Sequence, residues 1–308
     1  MANLPGRKRG RGMSRLAVAA IAAALVGTSA GAAVADTPVP APLKSADIAA
    51  AAVAEPSNAP AAAQAGSTPV FLLWGVDKNT NGYVYGPSGT GGFATRSFVD
   101  SGWNGIKLAA AIDLNADGES DGAWTWDTSG HVAFADDTQS KLVGSGWNIY
   151  NTVLTPSNLG GTSTDDVLAR DSAGVLWLYK GNSNGTLTAR VKVGSGWNIY
   201  THITGKGDLS GDGRADLVVK DSAGVLWLYK GTGNATAPFS ARTKVGSGWN
   251  IYNKIIANGD LNLDGRADVV ARDAAGVLWL YKGTGNAAAP FSARTKVGSG
   301  FNIYNKLF

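Results

Sequence analysis

The sequence predicts an all-β fold, a five-bladed β-propeller built from four-stranded antiparallel blades. Glycine accounts for 42 of the 308 residues, about twice its ordinary share, and this composition favours short strands and turns. Aromatic residues recur at positions 103, 147, 197, 249 and 301, each within a variant of the phrase Gly-Ser-Gly-Trp-Asn-Ile-Tyr. A repeat of about 40 to 50 residues that contains several short strands is typical of a propeller blade.

The first 35 residues predict a cleaved secretion signal. A basic stretch from Arg7 to Arg15 precedes an apolar run from Leu16 to Val26, and small residues ending in Ala33-Val34-Ala35 follow. These are the n-region, h-region and cleavage site of an export signal in their usual order. The apolar run is shorter than the roughly 20 residues that span a bilayer. We therefore expect no membrane span in the mature chain and a secreted protein, either free or associated with a cell wall.

The mature chain lacks the charge that a nucleic-acid partner requires. The full chain has a formal net charge of +4, from 27 basic and 23 acidic residues. Five basic residues and no acidic ones precede residue 36, so removal of the signal leaves 22 basic against 23 acidic residues. A near-neutral chain predicts no nucleic-acid binding. The chain also has no cysteine, which excludes a disulfide framework and a cysteine nucleophile.

Residues 36–68 are rich in Ala and Pro and predict a flexible linker, whereas residues 69–308 contain the repeats. In the repeat at 201–249 polar loops and a Gly-containing turn separate four predicted strands, which are His202–Gly205, Leu217–Lys220, Val225–Lys230 and Arg242–Val245. Four strands in about 50 residues form one blade.

The two ends of the repeat region complement each other. Val70–Gly75 and Gly82–Gly86 resemble the two middle strands of a blade, so the first unit lacks its opening strand. The chain ends with an additional opening strand, Asn302–Phe308. We therefore expect the C-terminal strand to join the N-terminal blade and close the ring, which removes open sheet edges. An open β-solenoid is the competing architecture, and it needs caps rather than complementary fragments.

Three loops carry one acidic pattern, with side-chain oxygens at positions 1, 3, 5 and 9, a glycine at position 6 and a backbone carbonyl at position 7. The predicted metal ligands are Asp113, Asn115, Asp117, Glu119 and Asp121 in the first loop, Asp208, Ser210, Asp212, Arg214 and Asp216 in the second, and Asp260, Asn262, Asp264, Arg266 and Asp268 in the third. Oxygen ligands at this spacing suit a hard cation with a flexible coordination shell, so we expect three Ca²⁺ sites.

Two alternatives to this interpretation remain. An EF-hand opens in the same way but requires flanking helices and a Glu at position 12, where these loops have Trp124, Val219 and Ala271. A loop without an ion would hold its carboxylates in mutual repulsion. The corresponding loop of the third blade keeps Asn158 and Asp166 but lacks the other carboxylates and the glycine, so it predicts no tight site.

Aromatic residues that recur in step with the blades have two interpretations. Trp177, Trp227 and Trp279 alternate with tyrosines along one strand, which favours packing between blades. Glycines precede a second set, which consists of Trp147, Tyr150, Trp197, Tyr200, Trp249 and Tyr252. A glycine-rich loop can expose a ring, and an aromatic platform with nearby amides suits a sugar. We therefore predict that these six residues bind ligand, with core packing as the alternative.

The sequence contains no visible catalytic constellation. His131, His202, Asp136, Asp137 and the serines of the repeated Gly-Ser-Gly-Trp phrase form no nucleophile–base–orienter set by their spacing. A catalytic serine would be unique, whereas this phrase recurs from blade to blade. We expect a protein that is not an enzyme and has no catalytic residues.

The nine-residue acidic loop between strands of a propeller resembles the FG-GAP/VCBS repeat class, which includes the integrin α-subunit propeller and fungal propeller lectins. The resemblance covers residues 69–308 and is strongest at 208–216 and 260–268, while the literal Phe-Gly and Gly-Ala-Pro motifs are absent. Five short blades with a Gly-Trp phrase in each also resemble five-bladed tachylectin-type lectins. The resemblance implies that the ions are structural.

Together these observations predict a secreted, calcium-stabilised, lectin-like monomer. Its predicted ligand is a carbohydrate polymer of the cell wall or another extracellular polysaccharide, with amino-sugar glycans as the best candidates. Several weak sites on one rigid ring would gain avidity on a polyvalent glycan. The alternative is a non-catalytic interaction or adhesion propeller whose partner is a secreted or cell-surface protein rather than a sugar.

Overall fold

Short strands dominate the part of the chain that the structure describes. The structure is a computed structural model that describes residues 70–308; the predicted signal (1–35) and linker (36–68) lie outside the described residues. Residues 70–308 form twenty strands and five short 3₁₀ turns. The strands are β1 (Leu73–Asp77), β2 (Gly82–Tyr85), β3 (Ser97–Asp100), β4 (Ile106–Ile112), β5 (Gly122–Asp127), β6 (Val132–Ala135), β7 (Ser140–Gly144), β8 (Tyr150–Ser157), β9 (Asp166–Asp171), β10 (Leu176–Tyr179), β11 (Val191–Gly194), β12 (Tyr200–Thr204), β13 (Leu217–Asp221), β14 (Leu226–Tyr229), β15 (Thr243–Gly246), β16 (Tyr252–Gly259), β17 (Asp268–Asp273), β18 (Leu278–Tyr281), β19 (Thr295–Gly298) and β20 (Tyr304–Leu307). The 3₁₀ turns cover Trp103–Gly105, Trp147–Ile149, Trp197–Ile199, Trp249–Ile251 and Phe301–Ile303.

The strands pair into five antiparallel sheets of four, which are the blades. Blades 2 to 5 are built from β4–β7, β8–β11, β12–β15 and β16–β19, each in chain order across the sheet. Blade 1 has the order β20-β1-β2-β3, so its first strand comes from the C-terminal end of the chain. Gly75 pairs with Leu307 and Val76 with Lys306. The predicted five-bladed propeller and its closure by the C-terminal strand are therefore confirmed.

The first strand of each blade lies at the inner edge of the ring. Strand β12 contacts β8 and β16, and β4 contacts β8. These inner strands line a central channel. The second strand of each blade is buried on both faces, as Leu217 and Val218 show, because neighbouring blades cover it on either side. In the third strand, Leu226 is buried while Trp227 is half-buried. The hydrophobic core therefore lies between the blades.

An antiparallel blade of four strands gives the ring two faces. The acidic loops, between the first and second strands, lie at the same end as the loops between the third and fourth strands. A Cβ added to Gly211 would lie 2.1 Å from the carbonyl oxygen of Gly285 in the next blade. We call this end the acidic-loop face. The five 3₁₀ turns lie at the opposite end, where the Trp197 amide donates to the Gly174 carbonyl oxygen over 2.9 Å. We call this end the turn face.

The predicted strand positions in the repeat at 201–249 agree with the structure to within two residues at each strand start. The first strand differs, because β1 begins at Leu73 rather than Val70. The amide of Phe71 donates to the Asn258 carbonyl oxygen over 3.2 Å, and Val70 pairs with Gly259 of blade 5. This segment belongs to the contact with blade 5 before β1 starts. Within the described residues, no helix is long and apolar enough to cross a membrane.

Candidate functional site

The 3₁₀ turns connect each blade to the next and place an aromatic ring between them. Each turn follows a glycine in the left-handed region, with φ of 78° at Gly146, 85° at Gly196 and 87° at Gly248. Residues with a Cβ rarely adopt such a conformation, so the glycine before each Trp is required by the turn. The Trp ring that follows is buried between the two blades.

The six aromatic residues that were predicted to form a ligand-binding platform are buried. They are Trp147, Tyr150, Trp197, Tyr200, Trp249 and Tyr252, with exposed fractions between 2% and 7%. The Trp197 ring packs against Tyr229 with the ring centroids 4.9 Å apart. This corrects the interpretation of an exposed platform in favour of the packing alternative. Burial of an indole between two blades is favourable because it removes a large apolar surface from water.

A hydrogen-bonded cluster of two tyrosines and one arginine recurs in blades 1, 3, 4 and 5, and we call it the tyrosine–arginine cluster. The hydroxyl oxygens are 2.5 Å apart in the pair Tyr150–Tyr179 and 2.7 Å apart in the pairs Tyr200–Tyr229, Tyr252–Tyr281 and Tyr304–Tyr85. The arginines that donate to the first tyrosine of each pair are Arg190, Arg242, Arg294 and Arg96. Burial, and then the hydrogen bond with Tyr200, raise the pKa of Tyr229 to about 12. The hydroxyls therefore stay protonated at neutral pH and can both donate and accept.

Each of these arginines also lies over an aromatic ring of the third strand. The guanidinium carbon of Arg242 is 4.2 Å from the centroid of Trp227, and Arg190 and Arg294 stack in the same way on the tryptophans of their blades. The Trp227 indole in turn donates to Asp221 Oδ2 over 2.9 Å. A guanidinium is attracted to the face of an aromatic ring, so Arg242 is held in place although it remains exposed.

A small pocket opens beside the tyrosine–arginine cluster of blade 4. Its volume is about 180 Å³, and its lining residues are Ser195, Gly196, Trp197, Ile199, Tyr200, Tyr229 and Arg242. Ser195, Gly196 and Ile199 are exposed, whereas Trp197 and Tyr200 are buried. The pocket therefore combines an aromatic wall with two hydroxyl groups and a guanidinium. Two of the predicted ligand residues do line it, but as its buried wall.

Four isoleucines are exposed at the turn face, one in each of four 3₁₀ turns. They are Ile149, Ile199, Ile251 and Ile303, with exposed fractions of 52%, 52%, 53% and 43%. Their exposure is not evident from the sequence, because the phrase Trp-Asn-Ile-Tyr does not reveal which of its residues points outward. The turn buries the Trp and exposes the Ile two positions later.

Blade 2 lacks the tyrosine–arginine cluster. Ile106 occupies the position that a tyrosine holds in the other blades, and Gly105 replaces the exposed isoleucine. At the contact with blade 1, the rings of Trp74 and Trp103 pack with centroids 5.2 Å apart. The buried indole nitrogens of Trp74 and Trp103 have no hydrogen-bond partner among residues 70–308. This interface is apolar at the position where the other four have a tyrosine–arginine cluster.

In the acidic loops, the carboxylate at position 9 joins two loops of the same blade. Asp216 Oδ2 accepts the amides of Leu209 and Ser210 over 3.0 and 2.7 Å. Its Oδ1 accepts the amide of Gly231, in the loop between the third and fourth strands, over 2.8 Å. Asp268 makes equivalent bonds in blade 5. Burial raises the pKa of both carboxyls to about 6. The sequence pattern did not reveal this role as a clamp.

The carboxylate at position 1 caps the turn within each loop. Asp208 Oδ1 accepts the amides of Ser210 and Gly211, and its Oδ2 accepts the amide of Gly213 over 2.6 Å. Asp113 caps the loop of blade 2 in the same way. The carboxylates at position 5 accept the amides of the position-7 residues, which are Glu119, Arg214 and Arg266.

The acidic loops gather negative charge without enclosing a preformed metal centre. Burial raises the pKa of Asp121, the amide of Leu114 opposes this shift, and the charges of Asp113, Asp117 and Asp165 add to it. Within residues 70–308, no group of three or more acidic or histidine side chains is arranged to hold a metal ion. The predicted ligands are thus close in space but directed at backbone amides.

The loop of blade 5 contains an oxygen atom that could coordinate a cation. The amide oxygen of Asn262, at position 3, is buried without a hydrogen-bond partner among the described residues, while its Nδ2 donates to Asp264 Oδ2 over 2.9 Å. An unpartnered carbonyl-type oxygen beside carboxylates is a suitable ligand for Ca²⁺. The oxygen-only donor set of the loops of blades 2 and 4 suits the same ion.

The loop of blade 3 keeps the shape of the other loops with fewer charges. Asn158 Oδ1 accepts the amides of Gly161 and Thr162 over 2.9 and 3.1 Å, as a carboxylate does elsewhere. Asp166 retains the clamp at position 9. Next to this loop, the ammonium of Lys206 forms a buried ion pair of 2.7 Å with Asp165.

The family of the repeats follows from the acidic loops. The model of the FG-GAP-like repeat matches residues 161–219 and 208–271, which include the loops of blades 4 and 5. Residues 161–271 therefore match FG-GAP-like repeats. No curated protein matches the chain.

Several solved structures are similar to this chain at low identity. Yeast RCC1 (Prp20) bound to Kap60 has 10% identity and a TM-score of 0.35, over 72% of this chain and 57% of that one. A mutant of AofleA from Arthrobotrys oligospora has 11% identity and a TM-score of 0.42, over 78% and 76%. The calcium-binding protein regucalcin from Agrobacterium tumefaciens has 12% identity and a TM-score of 0.39, over 75% of each chain. At these TM-scores the similarities assign no function, and the architecture rests on the strand pairing.

The candidate acid–base residues lie apart from one another. His131 Nδ1 is 2.9 Å from Asp127 Oδ2 in blade 2. His202 Nε2 is 3.1 Å from the carbonyl oxygen of Asn253, beside the inner strands of blades 4 and 5. Asp136 accepts hydrogen bonds from Thr138 and Gln139. Among residues 70–308, no serine hydroxyl is hydrogen-bonded to either histidine.

Proposed function

We propose that this protein is a secreted, non-catalytic, lectin-like binding module that recognises an extracellular polysaccharide through pockets beside its tyrosine–arginine clusters. The β-propeller with FG-GAP-like repeats fits a binding module. The observation that carries the finer proposal is the recurrence of the same cluster in four blades, each with an exposed or half-buried arginine on an aromatic ring. Cell-wall polymers of amino sugars are the first candidates.

The chemistry of the pocket in blade 4 suits a sugar ring. Hydroxyl groups of a sugar need partners that donate and accept, which Tyr200 and Tyr229 supply, and the guanidinium of Arg242 adds further donors. The exposed Ile199, backed by the buried Trp197, provides an apolar side of the pocket that the C–H groups of a sugar can contact. A volume of about 180 Å³ is below that of a typical drug-sized site, so the pocket suits one sugar unit rather than an extended chain.

Because the site is repeated around the ring, several weak contacts together could bind a polymer tightly. The clusters of blades 1, 3, 4 and 5 are held in fixed positions by one closed ring. Linked sites on a polyvalent ligand bind with an avidity that can exceed the affinity of a single site by a factor of about 100 or more. A polymer with a repeating unit is therefore the favoured ligand class.

Calcium has a structural role in this proposal. The ligands would be the side-chain oxygens at positions 1, 3, 5 and 9 of the three acidic loops, together with the position-7 carbonyl. A bound Ca²⁺ supplies positive charge that neutralises the gathered carboxylates. The acidic loops and the 3₁₀ turns lie at opposite faces of the ring, which supports an ion that stabilises the fold and does not contact the glycan.

The decisive experiment is a glycan and cell-wall polysaccharide array, probed with residues 36–308 in millimolar Ca²⁺ and with an EDTA-treated duplicate. The variant Arg190→Gln/Arg242→Gln/Arg294→Gln removes three guanidinium groups. The variant Lys192→Gln/Lys244→Gln/Lys296→Gln is the matched control, because it removes three exposed charges from the same outer strands. We expect retention on amino-sugar polymers that the arginine variant loses and the lysine variant keeps. A blank array from a protein that still melts cooperatively would contradict the lectin proposal.

The exposed isoleucines favour a second candidate, a propeller that docks a protein partner on its turn face. Ile149, Ile199, Ile251 and Ile303 present a ring of apolar side chains there, and apolar surface groups often mark protein contacts. Changing all four to Ser separates the two functions. Loss of a captured secreted protein with unchanged glycan retention would favour docking, and unchanged capture would exclude it.

A further inference from the structure

The inner strands of the ring enclose a cavity of about 120 Å³ in the central channel. Two residues of its lining carry a charged side chain, and both are lysines, Lys206 and Lys254. In the part of the chain that the structure describes, no Asp or Glu lines this cavity. Phe71, Trp74 and Phe308 contribute an apolar wall. A cation beside an apolar wall interacts strongly with an anion, because little water screens the charges.

The two lysines of the channel differ in their partners. The Lys206 ammonium donates to Asp165 Oδ2, Ala111 O and Thr155 Oγ1. No hydrogen bond or ion pair of the Lys254 ammonium exists among residues 70–308, although the residue is only partly exposed. Burial lowers the pKa of Lys254, and the charge of Arg272 lowers it further. Lys254 is thus a channel-lining cation without an acceptor.

Basic residues surround Lys254. Lys254 lies directly opposite Arg272 in blade 5, whereas Lys220 in blade 4 lies opposite His202, which is neutral at pH 7 because burial lowers its pKa. Like charges at directly opposed positions destabilise a sheet. Lys220 and Arg272 donate to main-chain carbonyls of the following turns. These bonds satisfy their donor groups but do not neutralise their positive charge.

The nearest acidic residues do not neutralise this cluster. Asp221 and Asp273 end the same strands as Lys220 and Arg272, but successive side chains of a strand point to opposite faces. Asp221 Oδ2 accepts a bond from the Trp227 indole, and Asp273 is engaged in the same way. The acidic loops lie at the other end of the ring. Lys220, Lys254 and Arg272 therefore carry a positive charge that no acidic side chain beside them neutralises, and His202 lies next to them.

We propose that the channel binds a single tetrahedral oxyanion, a phosphate or sulfate group, with Lys254 donating to it and the nearby charges of Lys220 and Arg272, outside the cavity lining, adding to the attraction. A bond from an ammonium to an oxyanion is stronger than a bond between neutral groups. The cavity has room for one such group but not for a polymer chain. The site uses residues that the glycan pocket does not share, so the two proposals succeed or fail separately.

The two histidines of the chain provide an internal reporter and an internal control. His202 lies beside the proposed site, whereas His131 lies in blade 2 against Asp127. The side-chain NMR signals of both are followed in residues 36–308 while inorganic phosphate, inorganic sulfate or a phosphorylated oligosaccharide is added in separate titrations. We expect saturable shifts of the His202 signals with both inorganic ions and none beyond ionic-strength effects at His131. Binding of the oligosaccharide as well would identify a ligand-borne group as a source, and binding of the inorganic ions alone would identify a free ion.

Two lysine variants decide whether the signal reports this site. Lys254→Met keeps the length of the side chain and removes the donor, so phosphate affinity should fall roughly tenfold or more. Lys244→Met, on the exposed outer strand β15, should bind phosphate as the unmodified chain does. Absence of a saturable His202 shift, or a shift that persists in a folded Lys254→Met variant, would overturn the proposal. Binding of the oligosaccharide without the inorganic ions would also overturn it, because the ligand would then contact the outer surface.

Discussion

Blade 2 and blade 3 each have the feature that the other lacks. Blade 2 has a full set of loop carboxylates from Asp113 to Asp121, but Ile106 stands where a cluster tyrosine would be. Blade 3 has the complete cluster of Tyr150, Tyr179 and Arg190, but its loop has lost most of its acidic residues. The two features therefore vary independently between blades. This independence argues that the cation loops serve the scaffold and the clusters serve recognition.

The same comparison separates the shape of a loop from its charge. In blade 3, the neutral oxygen of Asn158 caps the loop amides as Asp208 does in blade 4. Asp166 retains the clamp at position 9. The backbone of the loop thus needs one oxygen at position 1 and one carboxylate at position 9. The additional carboxylates of blades 2, 4 and 5 are not needed for this shape, which supports their assignment to a cation.

The largest expected effect comes from Lys206, whose ammonium joins blades 2, 3 and 4 next to the loop of blade 3. Lys206→Met leaves the buried carboxylate of Asp165 without its counter-charge, so the free energy of unfolding should fall by about 3 to 5 kcal/mol. Chemical denaturation measures this change. The double variant Lys206→Met/Asp165→Asn should recover part of the loss, because it removes the unpaired charge as well. A loss below about 1 kcal/mol would show that blade 3 does not depend on this ion pair.

The next largest effect per site should come from the removal of calcium. A ligand present at about 100 times its dissociation constant stabilises the folded state by about 2.7 kcal/mol per site, and EDTA should remove this contribution. The variant Asn158→Asp/Thr162→Asp/Ser163→Gly restores the pattern in blade 3 and should raise the number of bound Ca²⁺ ions from three to four. Titration calorimetry and metal analysis measure the stoichiometry. If the protein binds no Ca²⁺, the assignment of the additional loop carboxylates to a cation is wrong.

A pair of single-blade variants tests whether the two features are independent. Asp117→Asn in blade 2 should lower the number of bound Ca²⁺ ions by one and leave glycan retention unchanged. Arg190→Gln in blade 3 should weaken glycan retention, by roughly 1 kcal/mol for one lost hydrogen-bonding group, and leave the Ca²⁺ stoichiometry unchanged. Equal effects of either variant on both measurements would mean that ion and ligand are coupled.

A further effect appears only at alkaline pH. The folded-state pKa of Tyr229 is raised to about 12, so the folded protein favours the protonated phenol. This contribution is complete below the ordinary tyrosine pKa of about 10 and is lost as the pH rises towards about 12, at up to about 1.4 kcal/mol per pH unit. Absorbance titration of phenolate should show Tyr229 ionising late, as a component that is absent from Tyr229→Phe, and this variant should also reduce the pH dependence of stability. Early ionisation in the folded state would contradict the buried cluster.

Local signals in the sequence determined the architecture. The number of blades follows from the repeat, the loop positions from Asp and Gly at fixed spacing, and the ring closure from complementary ends such as Val76 and Lys306, which pair in the structure. These signals depend on residues within one strand or one turn, and glycine at Gly196 or Gly248 reports its backbone conformation directly. Strand alternation also predicts which residues share a face.

Only the tertiary structure decided which residues pack against each strand and turn. The phrase around Trp197 permits an exposed ring, and the contact with Tyr229 in the packed ring buries it. The tyrosine–arginine clusters join residues far apart in the chain, as Tyr85 and Tyr304 do, and so does the ion pair of Lys206 with Asp165. Such contacts arise when separate strands are brought together by packing, and sequence spacing carries no information about which distant side chain will stand opposite.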